Sequence, residues 1–169
     1  MKMRTAALAL ILASLPLPSR ADDPPEVDHQ PVPCTIPDKA ISICATVTDD
    51  NQVAKARVYF HRAGQDFYNF VDMAFQGLSY CATLPGPREG AMQVLEYYVQ
   101  AVDNQYQAKR TSTYAMSVKP EGACDFPPLE KNAGKAAAIT VFATHKKQGK
   151  KLDDAFVQSG VTFVPIQGK

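Results

Sequence analysis

The stretch AISICATVTDDNQVAKARVYFHR, residues 40–62, decides the fold of this chain. Residues 40–48 and residues 54–62 each alternate between apolar and polar side chains, which is the pattern of strands that bury one face. Between them lies Asp49-Asp50-Asn51, a run of residues that favour turns. The stretch therefore predicts two consecutive strands that direct one face into a core. The expected inward residues are Ile41, Ile43, Ala45, Val47, Ala56, Val58 and Phe60.

Four further segments follow the same pattern. Strands are predicted over residues 67–75, 77–84, 94–103 and 109–118, and turn formers such as Pro85-Gly86-Pro87 separate them. Six or seven short strands at this spacing are typical of an antiparallel β-sandwich, so the predicted fold class is mainly β. The inward residues of these segments are expected to include Leu78, Tyr80, Ala82, Leu84, Leu95, Tyr97, Val99, Ala101, Ser112, Tyr114, Met116 and Val118.

Three of these segments resemble a known class of domain. TVTDDNQVAKARVYF (46–60), SYCATLPGP (79–87) and LEYYVQAVD (95–103) are similar to the B–C, E and F segments of immunoglobulin-like or fibronectin type III-like domains of exported bacterial proteins. The resemblance covers about residues 34–125 and implies an immunoglobulin-like sandwich over 38–125. It implies little about function, because sandwich folds host many roles. The chain departs from antibody-type domains in having no Trp and no inward cysteine on strand F.

The N-terminal residues predict export. Residues 1–21 combine a positive start, an apolar run over 6–17 and a small-x-small ending, Ser19-Arg20-Ala21, which is typical of a cleaved secretory signal peptide. An apolar run of this length spans about 18 Å as a helix, too short for a hydrocarbon core of roughly 30 Å. The mature chain is therefore expected to begin at Asp22, to lack a transmembrane segment and to be periplasmic or secreted.

The four cysteines are expected to form two disulfides, because an even count in an oxidising compartment favours a disulfide framework. Strand alternation directs Cys44 and Cys81 away from the core. Their strands would be antiparallel neighbours in the sandwich that the resemblance implies, which predicts a Cys44–Cys81 bridge on the outer face. Cys34 and Cys124 flank the predicted strands at one end and are expected to form the second bridge. Each bridge would contribute roughly 3–4 kcal/mol.

Charge is unevenly distributed along the chain. The whole chain carries 18 basic and 17 acidic residues, a formal net charge of +1, which argues against a nucleic-acid binder. Residues 22–130 hold 8 basic and 15 acidic residues, whereas residues 131–169 hold 7 basic and 2 acidic residues. An acidic body with a basic tail is expected.

Two turns predict an acidic end of the sandwich. Asp49, Asp50 and Asn51 lie in one turn, Asp103 and Asn104 lie in another, and strand direction places both at one end. Their oxygens are a candidate Ca²⁺ site, with Asp49, Asp50 and Asp103 as ligands. The alternative is that these residues only form turns through local hydrogen bonds. No EF-hand spacing is present, so no metal or other cofactor is assigned.

Aromatic side chains predict a binding face. Tyr59, His61, Tyr68 and Phe70 are expected on the exposed face of the strands over 54–62 and 67–75. Such a face can stack on sugar rings or on peptide side chains. The alternative is cross-strand packing that only stabilises the sheet.

No catalytic residues are predicted. The chain has no phosphate-binding glycine loop and no nucleophile elbow. Asp72 and Glu96 are lone carboxylates, and the histidines have no partner at metal-ligand spacing. A non-enzyme is the favoured class.

The remaining segments flank the predicted sandwich. Residues 22–37 form a proline-rich lead that is expected to be an extended spacer. Residues 126–169 are expected to be a Lys-rich strand–helix–strand extension or a partly disordered tail. Within it, strands are predicted over 136–144 and 161–166 and a helix over 152–160. Pro165 would confine the last strand to a sheet edge.

Four lysines mark the tail. They are predicted to be a solvated turn, a cluster that docks on the acidic body, or a contact with an anionic envelope surface at about 1 kcal/mol per lysine. A nucleic-acid partner is not expected for an exported chain. These residues are Lys146, Lys147, Lys150 and Lys151.

Together these features predict a non-catalytic exported module that binds or positions a protein or another component of the cell envelope. The alternative is an accessory or regulatory subunit of an envelope enzyme or assembly. A small hydrolase or a carbohydrate-binding module is a weaker alternative.

Overall fold

A computed structural model describes residues 22–125 and 138–167. The predicted signal peptide, residues 1–21, and the start of the tail, residues 126–137, lie outside the described residues. The described part forms twelve strands and one short 3₁₀ helix, so the prediction of a mainly β chain is confirmed. The strands are β1 Glu26–Asp28, β2 Cys34–Thr35, β3 Ile41–Thr48, β4 Val53–Arg62, β5 Asn69–Asp72, β6 Ala74–Phe75, β7 Tyr80–Leu84, β8 Val94–Asp103, β9 Ala108–Arg110, β10 Tyr114–Val118, β11 Ile139–Ala143 and β12 Val161–Val164, and the 3₁₀ helix is Lys146–Gln148.

The strands form two sheets. The small sheet has the order β1-β3-β7-β6 and is antiparallel throughout. The large sheet has the order β12-β11-β5-β4-β8-β10-β2, and β9 also pairs with β8. It is mixed, because β10 runs parallel to β2 and β11 runs parallel to β12.

The inward faces of both sheets share one hydrophobic core. Strict alternation in β3 and β8 buries every second side chain, as the sequence pattern predicts. Each large side chain that is fully buried contributes roughly 1.5–3 kcal/mol relative to an exposed one. The largest of these are Tyr97, Phe60, Phe156, Ile43, Leu84 and Leu95.

The prediction of one strand over residues 67–75 is wrong. β5 belongs to the large sheet and pairs with β4, whereas β6 belongs to the small sheet and pairs with β7. The chain crosses between the sheets at Met73, whose backbone N–H donates to the Ala56 carbonyl (2.9 Å). Val71 and Met73 are both buried, so the alternation continues through the crossing. The alternation of apolar and polar side chains therefore gave no sign that the backbone changes its pairing from β4 to β7.

The prediction of one strand over residues 109–118 is also wrong. β9 pairs Arg110 with Gln100, whereas β10 pairs Tyr114 with Tyr97, which is a register shift of one residue along β8. The extra residue forms a bulge, after which the side chains that had pointed to one face of the sheet point to the other. Met116 is buried as predicted, but Ser112 is exposed, not inward.

The proline-rich lead is not a spacer. It is extended, but β1 joins the small sheet and β2 joins the large one. His29 and Val32 are buried between these short strands. The lead therefore contributes to the core.

Both disulfides join the expected pairs. Cys44 and Cys81 are register partners of β3 and β7 on the outer face of the small sheet, with Cα atoms 4.1 Å apart. Cys34 in β2 is bonded to Cys124 after β10, with Cα atoms 5.9 Å apart.

The tail packs on the large sheet. β11 pairs antiparallel with β5, and β12 forms the edge, as Pro165 predicted. The helix predicted over residues 152–160 is wrong. Leu152 and Phe156 are buried, but the Asp153 carboxylate accepts from the Ala155 N–H (3.0 Å) and stabilises a turn there. Leu152 and Phe156 therefore reach the core from an irregular turn and not from a helix.

No helix within residues 22–125 and 138–167 combines the length and the apolar character that membrane crossing requires.

Candidate functional site

Four aromatic side chains form a row across the outer face of the large sheet. Phe142, Phe70, Tyr59 and Tyr98 lie on β11, β5, β4 and β8 and are register partners from one strand to the next. Their ring centroids are 4.9, 5.4 and 4.8 Å apart in that order. At ordinary strand spacing the row extends roughly 14 Å across the sheet. All four residues are half-buried. We call these four residues the aromatic row.

Two arginines cover the aromatic row. The Arg57 guanidinium lies 4.3 Å from the centre of the Phe70 ring, and the Arg110 guanidinium lies 5.1 Å from that of Tyr98. Arg57 Nε also donates to the Asp72 carboxylate (2.8 Å), which fixes its position. Burial raises the pKa of Tyr98, so its hydroxyl remains a neutral donor. Rings and cations thus form one ordered surface.

Three of the four residues predicted to form a binding face lie on the outer face of the large sheet, in or beside the aromatic row. Tyr59 and Phe70 belong to the aromatic row, and Tyr68 lies beside it with its ring 5.0 Å from that of Tyr98. His61 is 5% exposed, not on an open face. Its ring stacks on Tyr68 at 3.8 Å, and its Nε2 lies 2.9 Å from the Glu96 carboxylate.

Sequence reasoning missed Tyr98 and Phe142. The alternation of β8 places Tyr98 opposite the inward Tyr97, so a signal for it was available. Phe142 could not be assigned, because nothing in the sequence shows that β11 pairs with β5. The aromatic row therefore depends on the strand order of the sheet.

The geometry of the row limits what it can bind. The planes of Tyr59 and Tyr98 differ by 8°, and those of Phe70 and Phe142 differ by 12°. Rings stacked in this way use their faces on each other and leave their edges and hydroxyl groups for a partner. A sugar ring binds by stacking on an open aromatic face. This arrangement favours a protein surface over a saccharide.

The acidic end contains turns, as the alternative interpretation expected. Asp103 is 1% exposed, and its Oδ1 accepts from the N–H groups of Gln105 and Gln107, both at 2.8 Å. Asp49 Oδ1 accepts from the Asn51 N–H (3.0 Å). The other carboxylate oxygen of each aspartate, Oδ2, is buried and has no hydrogen-bond partner within residues 22–125 and 138–167.

Asp22 lies at the same end. Gln107 Nε2 donates to the Asp22 carbonyl (2.7 Å) and to its carboxylate (2.9 Å). Partial desolvation and the nearby charges of Asp50, Asp103 and Asp49 raise the pKa of Asp22, against the hydrogen bond from Gln107, which lowers it. The acidic groups therefore influence each other.

The described residues include no group of three acidic, histidine or cysteine side chains arranged to hold a metal ion. The candidate Ca²⁺ ligands Asp49 and Asp103 each use one oxygen to form a turn. Asp50 is exposed. A calcium site at these residues stays a prediction.

The tail lysines surround an open cavity of about 640 Å³ between the β4–β5 turn and the tail. Lys147, Lys150 and Lys151 line it together with acidic residues, and Lys151 pairs with Asp154 (3.0 Å). Lys146 is exposed. The tail is attached through buried Leu152 and Phe156 and through an Arg62–Asp153 contact (3.3 Å), in which the acid belongs to the tail. The tail is therefore not attached by these lysines docking on an acidic body, which was one of the predicted roles.

The two lone carboxylates are engaged on the large sheet. Asp72 pairs with Arg57, and Glu96 lies against His61.

Comparisons with known proteins add little. No protein-family model matches the chain, and no curated protein is similar to it. Among solved structures, a crystal structure of an engineered protein is similar over 56% of this chain at 15% identity, with a TM-score of 0.44. The similar region spans 20% of the engineered chain. At these values the likeness carries no argument about fold or function.

Proposed function

We propose that this chain is a non-catalytic exported module of immunoglobulin-like architecture that binds a protein partner through the aromatic row. Its ligand would be a component of the cell envelope.

The strand order supports the proposed architecture. The small-sheet order β1-β3-β7-β6 corresponds to the A-B-E-D order of immunoglobulin domains. The succession β5-β4-β8-β10 corresponds to C′-C-F-G. The tail would then add β11 and β12 beyond C′, which widens the face that carries the aromatic row.

Two disulfides support export, because disulfides persist in oxidising compartments. Cleavage before Asp22 and the choice between periplasm and extracellular space belong to the same proposal. An envelope location would also place the exposed tail lysines near anionic surfaces.

The aromatic row is the observation that carries the binding proposal. Tyrosine and arginine are enriched among the residues that dominate protein–protein affinity. Here Tyr59, Tyr98, Arg57 and Arg110 are ordered before binding, because each stacks on a neighbour. Side chains that are already ordered lose less conformational entropy on association.

A photocrosslinking experiment tests this proposal. A photoreactive phenylalanine derivative would replace Tyr98 in one protein and Thr46 in a control. Thr46 is exposed on β3 in the small sheet, so the control samples the opposite sheet. Both proteins would be illuminated in the native envelope.

We expect one defined adduct from position 98 and none from position 46. Arg110→Glu should reduce that adduct at least tenfold while leaving the melting temperature nearly unchanged, because Arg110 is exposed. Equal labelling from both positions, or an adduct that Arg110→Glu does not affect, would contradict the proposal.

The accessory-subunit alternative predicts one further result. The crosslinked partner would then be an enzyme, and adding purified module would change its rate. Binding measurements against a panel of saccharides test the carbohydrate alternative. In that case saccharide binding would depend on Tyr59 and Tyr98, and no protein adduct would form.

A further inference from the structure

Acidic side chains outnumber basic ones at the acidic end in the part of the chain that the structure describes. Asp103 Oδ2 and Asp49 Oδ2 are buried and have no hydrogen-bond partner among the residues that the structure describes. A buried carboxylate oxygen without a partner is costly, so native structures normally supply a donor or a cation. The turn hydrogen bonds of both aspartates use Oδ1 and leave this requirement unmet.

The backbone of Asp22 lies at the same end of the molecule as these aspartates. Gln107 joins the two regions, because its side chain donates to the Asp22 carbonyl (2.7 Å) and its backbone N–H donates to Asp103 Oδ1 (2.8 Å). Asp22 is also the residue at which the sequence predicts the mature chain to begin.

We propose that the acidic end is a site for a positively charged amine, and that its occupant is the α-ammonium group that cleavage before Asp22 creates. The ammonium group supplies three N–H donors to the carboxylates of Asp49 and Asp103. This inference rests on the predicted export and cleavage, and is independent of the aromatic row.

The surrounding charges favour a cation at this end. The acids that face it are Asp22, Asp49, Asp50, Asp103 and, around an adjoining cavity, Asp23 and Glu26. Lys109 lines the same cavity and is the basic residue there among those the structure describes. An ammonium group suits two separate carboxylate oxygens, whereas the described residues include no group of three acidic, histidine or cysteine side chains arranged to hold a metal ion.

Removal of the leader would therefore stabilise the folded chain. With residues before Asp22 still attached, its nitrogen is a neutral amide and brings no charge to the buried oxygens. Cleavage converts the same nitrogen into a charged donor. Signal processing and folding stability are thereby coupled.

The test compares three forms of the chain from Asp22 to Lys169. One has a free α-amine, released from a fusion by a protease that leaves no extra residue. The second is Nα-acetylated, and the third carries a Gly-Ser extension. Melting temperatures are measured with a chelator and with millimolar calcium, roughly one pH unit below the ordinary α-amine pKa of about 7.7–8.0.

We expect the free-amine form to melt about 2–4 °C above the acetylated and extended forms. The difference should vanish in Asp103→Asn, which keeps the Oδ1 acceptor of the turn but removes the charge. It should persist in the control Asp66→Asn, because Asp66 lines the distant tail cavity.

Three results would overturn the proposal. The first is equal melting of the three forms. The second is a calcium-dependent rise of equal size in all three that Asp103→Asn abolishes, because the occupant would then be a metal ion. The third is an exported protein whose N-terminal sequence does not begin at Asp22. None of these results depends on whether the aromatic row binds a partner.

Discussion

Tyr97 donates its hydroxyl hydrogen to Nε2 of His29, 2.9 Å away, inside the core. The direction follows from the other ring nitrogen. His29 Nδ1 lies 2.7 Å from the Cys44 carbonyl, which can only accept, so Nδ1 carries the hydrogen and Nε2 accepts. The Tyr97 oxygen in turn accepts from the Val32 N–H (2.8 Å). Burial raises the pKa of Tyr97 to about 12, which keeps the donor protonated. One hydrogen-bonded chain thus attaches the N-terminal lead to both sheets.

The first prediction concerns acid stability. Burial lowers the pKa of His29. Below about pH 6.5, His29 therefore binds a proton in the unfolded chain but stays neutral in the folded chain until the pH falls further. The contribution of His29 to stability is therefore complete above pH 6.5 and is lost as pH falls through its folded pKa. Urea unfolding at about pH 8 and at about pH 5 measures the difference. His29→Gln should flatten this dependence, whereas His145→Gln, at an exposed position, should not.

The second prediction compares the two disulfides. The chain-entropy model gives about 3.8 kcal/mol for the Cys44–Cys81 bridge and about 4.6 kcal/mol for the Cys34–Cys124 bridge, because their sequence separations are 37 and 90 residues. Replacing each pair with serine should lower the free energy of unfolding, and the loss should be larger for the Cys34–Cys124 pair than for the Cys44–Cys81 pair. A larger loss on replacing the Cys44–Cys81 pair would show that loop length does not determine how much each bridge stabilises the fold.

The third prediction concerns the tail. Phe156 is fully buried, and its ring lies 5.3 Å from that of Phe60 in the shared core. Phe156→Ala should reduce the free energy of unfolding by about 3–5 kcal/mol. Ile166→Ala, at an exposed position of the same tail, should change it by less than about 0.5 kcal/mol. Equal effects in calorimetry would mean that the tail does not pack on the core.

The fourth prediction concerns Gly86. A Cβ atom at this position would overlap the backbone of Lys39, chiefly its carbonyl oxygen. Gly86→Ala should therefore displace the loop after β7 and destabilise the protein by several kcal/mol. Gly90→Ala is the matched control, because it has a φ of +69° and open space, so it should cost only about 1–2 kcal/mol. A smaller loss at Gly86 than at Gly90 would refute the steric argument.

Alternation predicted many of the inward side chains but not how strands are connected, and it wrongly placed Leu78 and Ser112 inward. Ile43, Phe60 and Leu95 are buried as their patterns required. The crossing at Met73 and the bulge after Arg110 were not predicted, because both change backbone pairing. His61 was misplaced for a related reason. The sequence pattern indicates its face, but the stack with Tyr68 that buries it is tertiary.

The candidate site was predicted to a similar extent. Tyr59 and Phe70 could be assigned because they occur on strands with clear alternation. Phe142 required the pairing of β11 with β5, which joins residues more than 70 positions apart. The charge at Asp103 was evident, but its burial with one unpartnered oxygen depends on how the turns pack.

By itself, the sequence determined that this chain is mainly β and, for strands such as β3 and β8, which face is inward. These properties follow from a period of two along each strand, which is local and repeats over many residues. Only the tertiary structure decided that the lead and the tail join the sheets, and that four rings on four strands form one row. Those outcomes depend on pairing between distant segments, and hydrogen bonding between backbones leaves little trace in side-chain sequence.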